Sequence, residues 1–247
     1  MHVFLTSSPF GDYRSTQPAD FSGWNPANLF MENIKKCWIP NANILYVAAD
    51  PNNYELNDQI SRDFQTKFKE SELSFDCLEV CDYRYQIHGD LQFYDVIVLG
   101  GGHVPTQNRF LHEINLPEEI QSFKGIVIGI SAGSMNCARI VYAQPEEWGE
   151  TNIPHEKRFL PGLNVCEVNV LPHYNAVKND IIDGYRLFED VTFADSYGKH
   201  FIVLEDGSYI YVKENSPVLF GKGYLIHDGQ MHVLCEKNQY YNLEVLL

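Results

Sequence analysis

The sequence predicts an α/β protein: a mostly parallel sheet with helices on both faces, a nucleophile elbow, and antiparallel strands toward the C-terminus. Three observations predict it. Continuous apolar runs alternate with amphipathic segments through the first two thirds of the chain, the pattern of buried parallel strands joined by helices. One apolar run, Ile126-Val127-Ile128, leads directly into Gly129-Ile130-Ser131-Ala132-Gly133, the Gly-x-Ser-x-Gly of an elbow. Short strand-like runs broken by Asp206-Gly207, residues 221–223 and Asp228-Gly229 crowd the C-terminal third, and these breaks are hairpin signals.

Taken in order, residues 3–6 read as a strand and 27–38 have helical spacing. Residues 43–49 (NILYVAA) form a buried strand, closed by the turn Asp50-Pro51-Asn52-Asn53. Residues 56–69 form a polar-faced helix, and 73–80, 94–99 and 126–130 are strands. The character changes near Val165. Residues 165–171 and 200–204 still read as strands, followed by 208–212, 217–220, 224–227 and 231–234, which are expected to extend the same sheet. The long connection 143–161, with three prolines and several charges, is the length of an active-site flap or a surface excursion.

A length of 247 residues fits one domain, residues 1–247, with a substantial core. A formal net charge of −15 excludes nucleic acid as a partner, since phosphate binding needs clustered Lys and Arg. The six cysteines have irregular spacing and no Cys-x-x-Cys, which reads as reduced, buried small hydrophobes. The N-terminus lacks a basic leader pattern, and no apolar stretch nears the ~20 residues of a membrane span. A cytoplasmic protein with no membrane partner is expected. A homodimer is one arrangement open to it.

The elbow implies a nucleophile at Ser131, with helix N-terminal potential behind it for an oxyanion. Gly100-Gly101-Gly102 follows the strand 94–99, at the end of a parallel strand where ligands bind. One N–H from Gly102 and one from Ala132 would then form the oxyanion hole. A dinucleotide reading fails because Pro105 stands where Gly-x-Gly-x-x-Gly needs glycine. A zinc-peptidase reading of His112-Glu113 fails at Leu116. Of nine histidines, His173 stands out, held behind a strand in Leu171-Pro172-His173-Tyr174. His103 adjoins the glycine loop, where it would line the pocket with Gly101. For an acid, either carboxylate of Glu205-Asp206 would serve, against a reading in which Asp206-Gly207 is only a hairpin turn. The order Ser131, His173, Asp206 is nucleophile–base–acid. An α/β-hydrolase would use Ser131, Asp195 and His227, but its oxyanion glycines lie well upstream of the elbow. The first constellation is preferred.

The glycine loop, the elbow, Pro172-His173-Tyr174 and residues 204–207 recur in this order in the peptidase E family of serine peptidases, which this sequence resembles over roughly residues 94–207. That family includes an aspartyl dipeptidase and cyanophycinase. The resemblance implies a flavodoxin-like sheet of the class I glutamine-amidotransferase-like type. It also implies Ser131 as nucleophile, His173 as base, and Gly102 and Ala132 as oxyanion donors. Ser134 becomes a first-turn helix residue. Where the family has Pro-Glu-Gly, this chain has Glu205-Asp206-Gly207, which aligns Asp206 with the acid. His103 replaces an asparagine. The arginine-rich stretch that recognises a substrate Asp in the dipeptidases is reduced here to Lys178, Arg186 and Lys199, with Arg186 the candidate for binding substrate.

The expectation is a serine peptidase acting on short peptides, including dipeptides with N-terminal Asp, without metal or organic cofactor. The alternatives are an isoaspartyl-peptide hydrolase or esterase on the same fold, or a catalytically degenerate binding protein.

Overall fold

The computed structural model describes residues 1–17, 19–85 and 91–246. Its centre is an eight-stranded sheet. Five parallel strands, β1 (His2–Thr6), β2 (Ala42–Val47), β3 (Phe75–Cys81), β4 (Val96–Leu99) and β5 (Ile126–Ile130), lie in the spatial order β3-β2-β4-β5-β1. Beyond β1 the sheet continues antiparallel through Tyr209–Lys213, Ser216–Phe220 and Tyr240–Asn242.

The apolar runs are continuous because both faces are covered. Phe4, Ile44, Tyr46, Val96, Val98, Ile126 and Ile128 alternate with Val3, Leu45, Val47, Ile97, Leu99 and Val127. The first set packs on helices α1 (Phe30–Cys37) and α2 (Tyr54–Glu70) through Phe30, Ile34, Phe64 and Phe68. The second set packs on α3 (Val104–Glu113) through Phe110 and Leu111, and on a second sheet through Val170, Ile202 and Leu204. A one-residue slip of any strand would exchange the two sets.

That second sheet corrects the sequence expectation. The C-terminal strands do not all extend the first sheet. Asn169–Leu171 and His200–Leu204 pair in parallel, and Gly223–His227 and Gln230–Cys235 continue antiparallel from them, as a separate four-stranded sheet. Asp206-Gly207 is therefore not a hairpin turn. It is the crossover from His200–Leu204 in one sheet to Tyr209–Lys213 in the other. A third apolar cluster, with Val104, Met135, Tyr142, Phe201 and Ile226, seats the second sheet against the elbow helix Ala132–Asn136.

The segment 143–161 folds back as a flap. Its last strand, Phe159–Pro161, pairs antiparallel with Ile140–Tyr142, and Asp183 accepts the N–H groups of Gly149 (2.8 Å) and Thr151 (3.2 Å). Among the described residues no disulfide joins the six cysteines. Among the described residues no helix is long and apolar enough to cross a membrane.

The sheet changes direction of growth between β2 and β4, since β2 leads outward to β3 and β4 leads the other way to β5. The carboxyl ends of the strands open a crevice there. The elbow beside it is close-packed. A methyl group on Gly133 would lie 2.3 Å from the carbonyl oxygen of Leu99, and one on Gly129 would lie 2.7 Å from Ser134 Cα. Gly133→Ala is expected to destabilise the protein toward the upper end of the about 1–3 kcal/mol typical of overpacking, read as a lower urea midpoint at unchanged m-value.

Candidate active site

Three adjacent parallel strands of the main sheet deliver one group each to the same rim. Ser7 follows β1, the loop Gly100-Gly101-Gly102 follows β4, and Ser131 follows β5. Two adjacent parallel strands of the second sheet deliver two more. His173 lies just beyond Asn169–Leu171, and Asp206 lies just beyond His200–Leu204. Ser7, Gly100, Gly101, Gly102, Ser131 and His173 line a cavity of about 560 Å³, the size of a small-ligand pocket.

Ser131 sits at φ 51°, ψ −112°, a backbone conformation that an L-residue rarely adopts. Its N–H donates to the carbonyl of Thr6 (3.0 Å), which also receives the Ser134 hydroxyl (2.8 Å). Thr6 in turn donates its own hydroxyl to the Gly129 carbonyl (2.8 Å). Ser134 is thus a buried strut of the elbow. Gly101 lies against Ser131, since a methyl group there would be 3.3 Å from its Cβ. Of the sequence's oxyanion candidates, Gly102 lines the cavity with Ser131, and Ala132 opens the helix directly after it.

The imidazole of His173 is held from several sides. Its Nδ1 lies 2.7 Å from Asp206 Oδ1. Its backbone N–H donates to Ser7 Oγ (2.7 Å), and the Ser7 hydroxyl donates onward to Asp206 Oδ1 (2.7 Å). The ring of Tyr13 stacks on it at 4.1 Å, and the Tyr13 N–H donates to Asp206 Oδ2 (2.7 Å). Burial alone would raise the Asp206 pKa. The donors from His173, Ser7 and Tyr13 outweigh it and hold the carboxyl below its ordinary value. An ionised carboxylate only accepts, so Nδ1 carries the ring proton. Nε2 is then an acceptor, and it is buried with no hydrogen-bond partner among the described residues. Glu205 points elsewhere and accepts the Tyr224 hydroxyl (2.6 Å).

The remaining candidates fall in different places. His103 lines the cavity, with Nδ1 2.8 Å from Thr106 Oγ1 and Nε2 2.8 Å from Glu150 Oε1, which ties the glycine loop to the flap. Arg186 does not line the cavity. It is exposed and pairs with Asp190 through two guanidinium nitrogens. Asp195 and His227 do not meet either, since Asp195 binds Tyr142 and Arg158 while His227 Nδ1 lies against the Lys199 carbonyl. Sequence reasoning missed Ser7 and Tyr13. The one signal for Ser7 was its place directly behind the first strand.

Glu146 and Glu147 on the flap also line the cavity. Solvent reaches Glu146, yet the surrounding protein desolvates it, and with Glu150 and Glu147 close by its pKa rises to about 7 against the opposing pull of His103.

These features belong to a hydrolase elbow fold, and the chain matches the model of peptidase family S51 over residues 27–219. It belongs to that family and is a serine peptidase. A peptidase from an acI-B1 Actinobacterium shares the fold at TM-score 0.59 and 18% identity, covering 98% of this chain and 96% of that one. A peptidase E protein from Listeria monocytogenes EGD-e matches at TM-score 0.52 and 16% identity, covering 88% of this chain and 96% of that one. No curated protein sequence matches it.

Because the folded-state pKa of Asp206 is depressed, its stabilising contribution is present above the ordinary carboxylate value and is lost as pH falls through the folded value. Asp206→Asn is expected to cost about 1.5–3 kcal/mol at pH 7, as for hydrogen bonds to a charged group. Urea midpoints of the two proteins should converge between pH 5 and pH 2.

Proposed function

We propose that this serine peptidase cleaves short peptides through Ser131, His173 and Asp206, with residues 1–247 acting as one catalytic domain. The observation that carries the proposal is the His173 ring. Its Nδ1 is anchored on Asp206, and its Nε2 is left as an unpartnered acceptor in the cavity that holds Ser131. His173 Nε2 takes the Ser131 proton as Oγ attacks the scissile carbonyl. The N–H groups of Gly102 and Ala132 receive the oxyanion, and the imidazolium then protonates the leaving amine. Water, deprotonated by the same Nε2, releases the acyl group. Asp206 fixes the tautomer and stabilises the imidazolium. In the free protein Ser131 and Nε2 are not yet hydrogen-bonded, and such contacts tighten when substrate binds.

The cavity volume and the flap above it favour a short peptide over a folded chain. The charges favour a free amino terminus. Glu146 and Glu147 face the cavity and offer a counter-charge to an α-ammonium. They do not favour an N-terminal Asp. Arg14, the guanidinium on the cavity wall, is engaged by both oxygens of Asp180 (2.8 and 2.7 Å) and donates to the Ala176 carbonyl (2.7 Å).

Ser131→Ala is expected to lower kcat on any cleaved peptide by about 10⁴-fold or more with little change in KM. A fluorophosphonate should label the wild type at Ser131 and not the variant. An unlabelled wild type would favour a degenerate binding protein. For Glu146 the sign is that of a raised acid, neutral below about pH 7 and charged above it. KM for a free-amine dipeptide should therefore fall between pH 6 and pH 7.5. Glu146→Gln should remove that trend, and an N-acetyl peptide should not show it.

A further inference from the structure

We propose that the cavity selects a first residue with a bulky, uncharged aromatic side chain, tyrosine above phenylalanine, and that Tyr46 is the residue that reads it. This rests on the serine-peptidase reading of Ser131 and names the substrate class for the same site. One wall of the cavity is formed by Phe10, Tyr46, Ile60, Phe64 and Ile130. All five belong to the aromatic-rich cluster between the main sheet and α2. Phe64 meets Tyr46 edge-on at 5.2 Å, and Phe10 meets Phe64 at 5.7 Å, so the rings fix one another.

Tyr46 is 1% exposed, and what it presents to the cavity is its polar end. Among the described residues its hydroxyl has no hydrogen-bond partner. The hydroxyl is therefore open to the cavity, where a ligand atom can bond to it. Burial pushes its pKa up, so it remains a neutral donor. The hydroxyl also lies under the glycine loop that borders Ser131. A methyl group on Gly100 would be 2.9 Å from it, and a methyl group on the next residue, Gly101, would be 3.3 Å from Ser131 Cβ.

The complement of an apolar wall with one hydroxyl is a ring with one polar tip. A phenol makes a single hydrogen bond with Tyr46 and leaves nothing unpaired. A carboxamide carries two donors and an acceptor, so most of its capacity would be stranded among Phe10, Ile60 and Phe64. A carboxylate or ammonium would be desolvated there without a counter-ion.

The test uses the full chain carrying Ser131→Ala, which leaves peptides intact, with and without Tyr46→Phe. Binding of Tyr-Ala, Phe-Ala, Gln-Ala and Asp-Ala is measured by calorimetry. Tyr-Ala should bind about tenfold tighter than Phe-Ala, with Gln-Ala and Asp-Ala weaker than both. Tyr46→Phe should bring the Tyr-to-Phe ratio to about one. A ratio that Tyr46→Phe does not move, Gln-Ala or Asp-Ala binding as tightly as Tyr-Ala, or no binding of any of the four would overturn the proposal. Turnover of the same peptides by the wild type separates the two readings. Tyr-Ala bound with this selectivity but never cleaved removes the peptidase reading alone. Peptides cleaved through Ser131 without preference for Tyr remove the specificity alone.

Discussion

The constraint on which the rest depends is the backbone of Ser131. A serine at φ 51°, ψ −112° is strained, and the strand-to-helix turn holds it there by closing in from every side. Thr6 supplies the carbonyl that anchors both the Ser131 N–H and the Ser134 hydroxyl. Gly133 lets the first turn of the helix lie directly on the carbonyl of Leu99. The result is a hydroxyl lifted off the sheet with no freedom to relax. The parallel order of β1, β5 and β4 follows from the same demand, because only neighbours on both sides of β5 can supply these contacts.

The surrounding loops are also locked to the elbow through neutral amides. Gln107 donates to the Gly100 carbonyl (2.8 Å) and accepts from Asn136 (3.0 Å), which accepts in turn from Asn108 (2.9 Å). Asn108 also donates to the Pro161 carbonyl (2.9 Å) at the foot of the flap. Glycine loop, elbow helix and flap base therefore form one hydrogen-bonded unit. Neutral amides suit a chain of net charge −15, where a buried cation network would compete with surface carboxylates.

The sequence made most of the main sheet legible. Its strands are buried on both faces, so they read as unbroken apolar runs, and Ile126–Ile130 falls where that pattern puts it. The division of the C-terminal strands was not legible. Gly221 and Asp206-Gly207 announce turns, but a turn signal does not say which sheet receives the next strand. Ser131 and His173 were marked by strand ends and, at Ser131, by glycines. Ser7 had only its place behind the first strand and Tyr13 had no signal, because their partners lie across the chain at His173 and Asp206. The placement of Arg186 away from the cavity has a local cause. Asp190, one helical turn on, captures the guanidinium.

Ser7 is a small residue with a large consequence. Its hydroxyl is the point where the first strand of the main sheet meets both His173 and Asp206 of the second. Ser131 rides on one sheet, and His173 and Asp206 ride on the other. In the proposed mechanism neither layer is a hydrolase alone, and the chemistry is a property of the seam between them. Substitutions that shift one layer against the other are then expected to cost activity before they cost the fold.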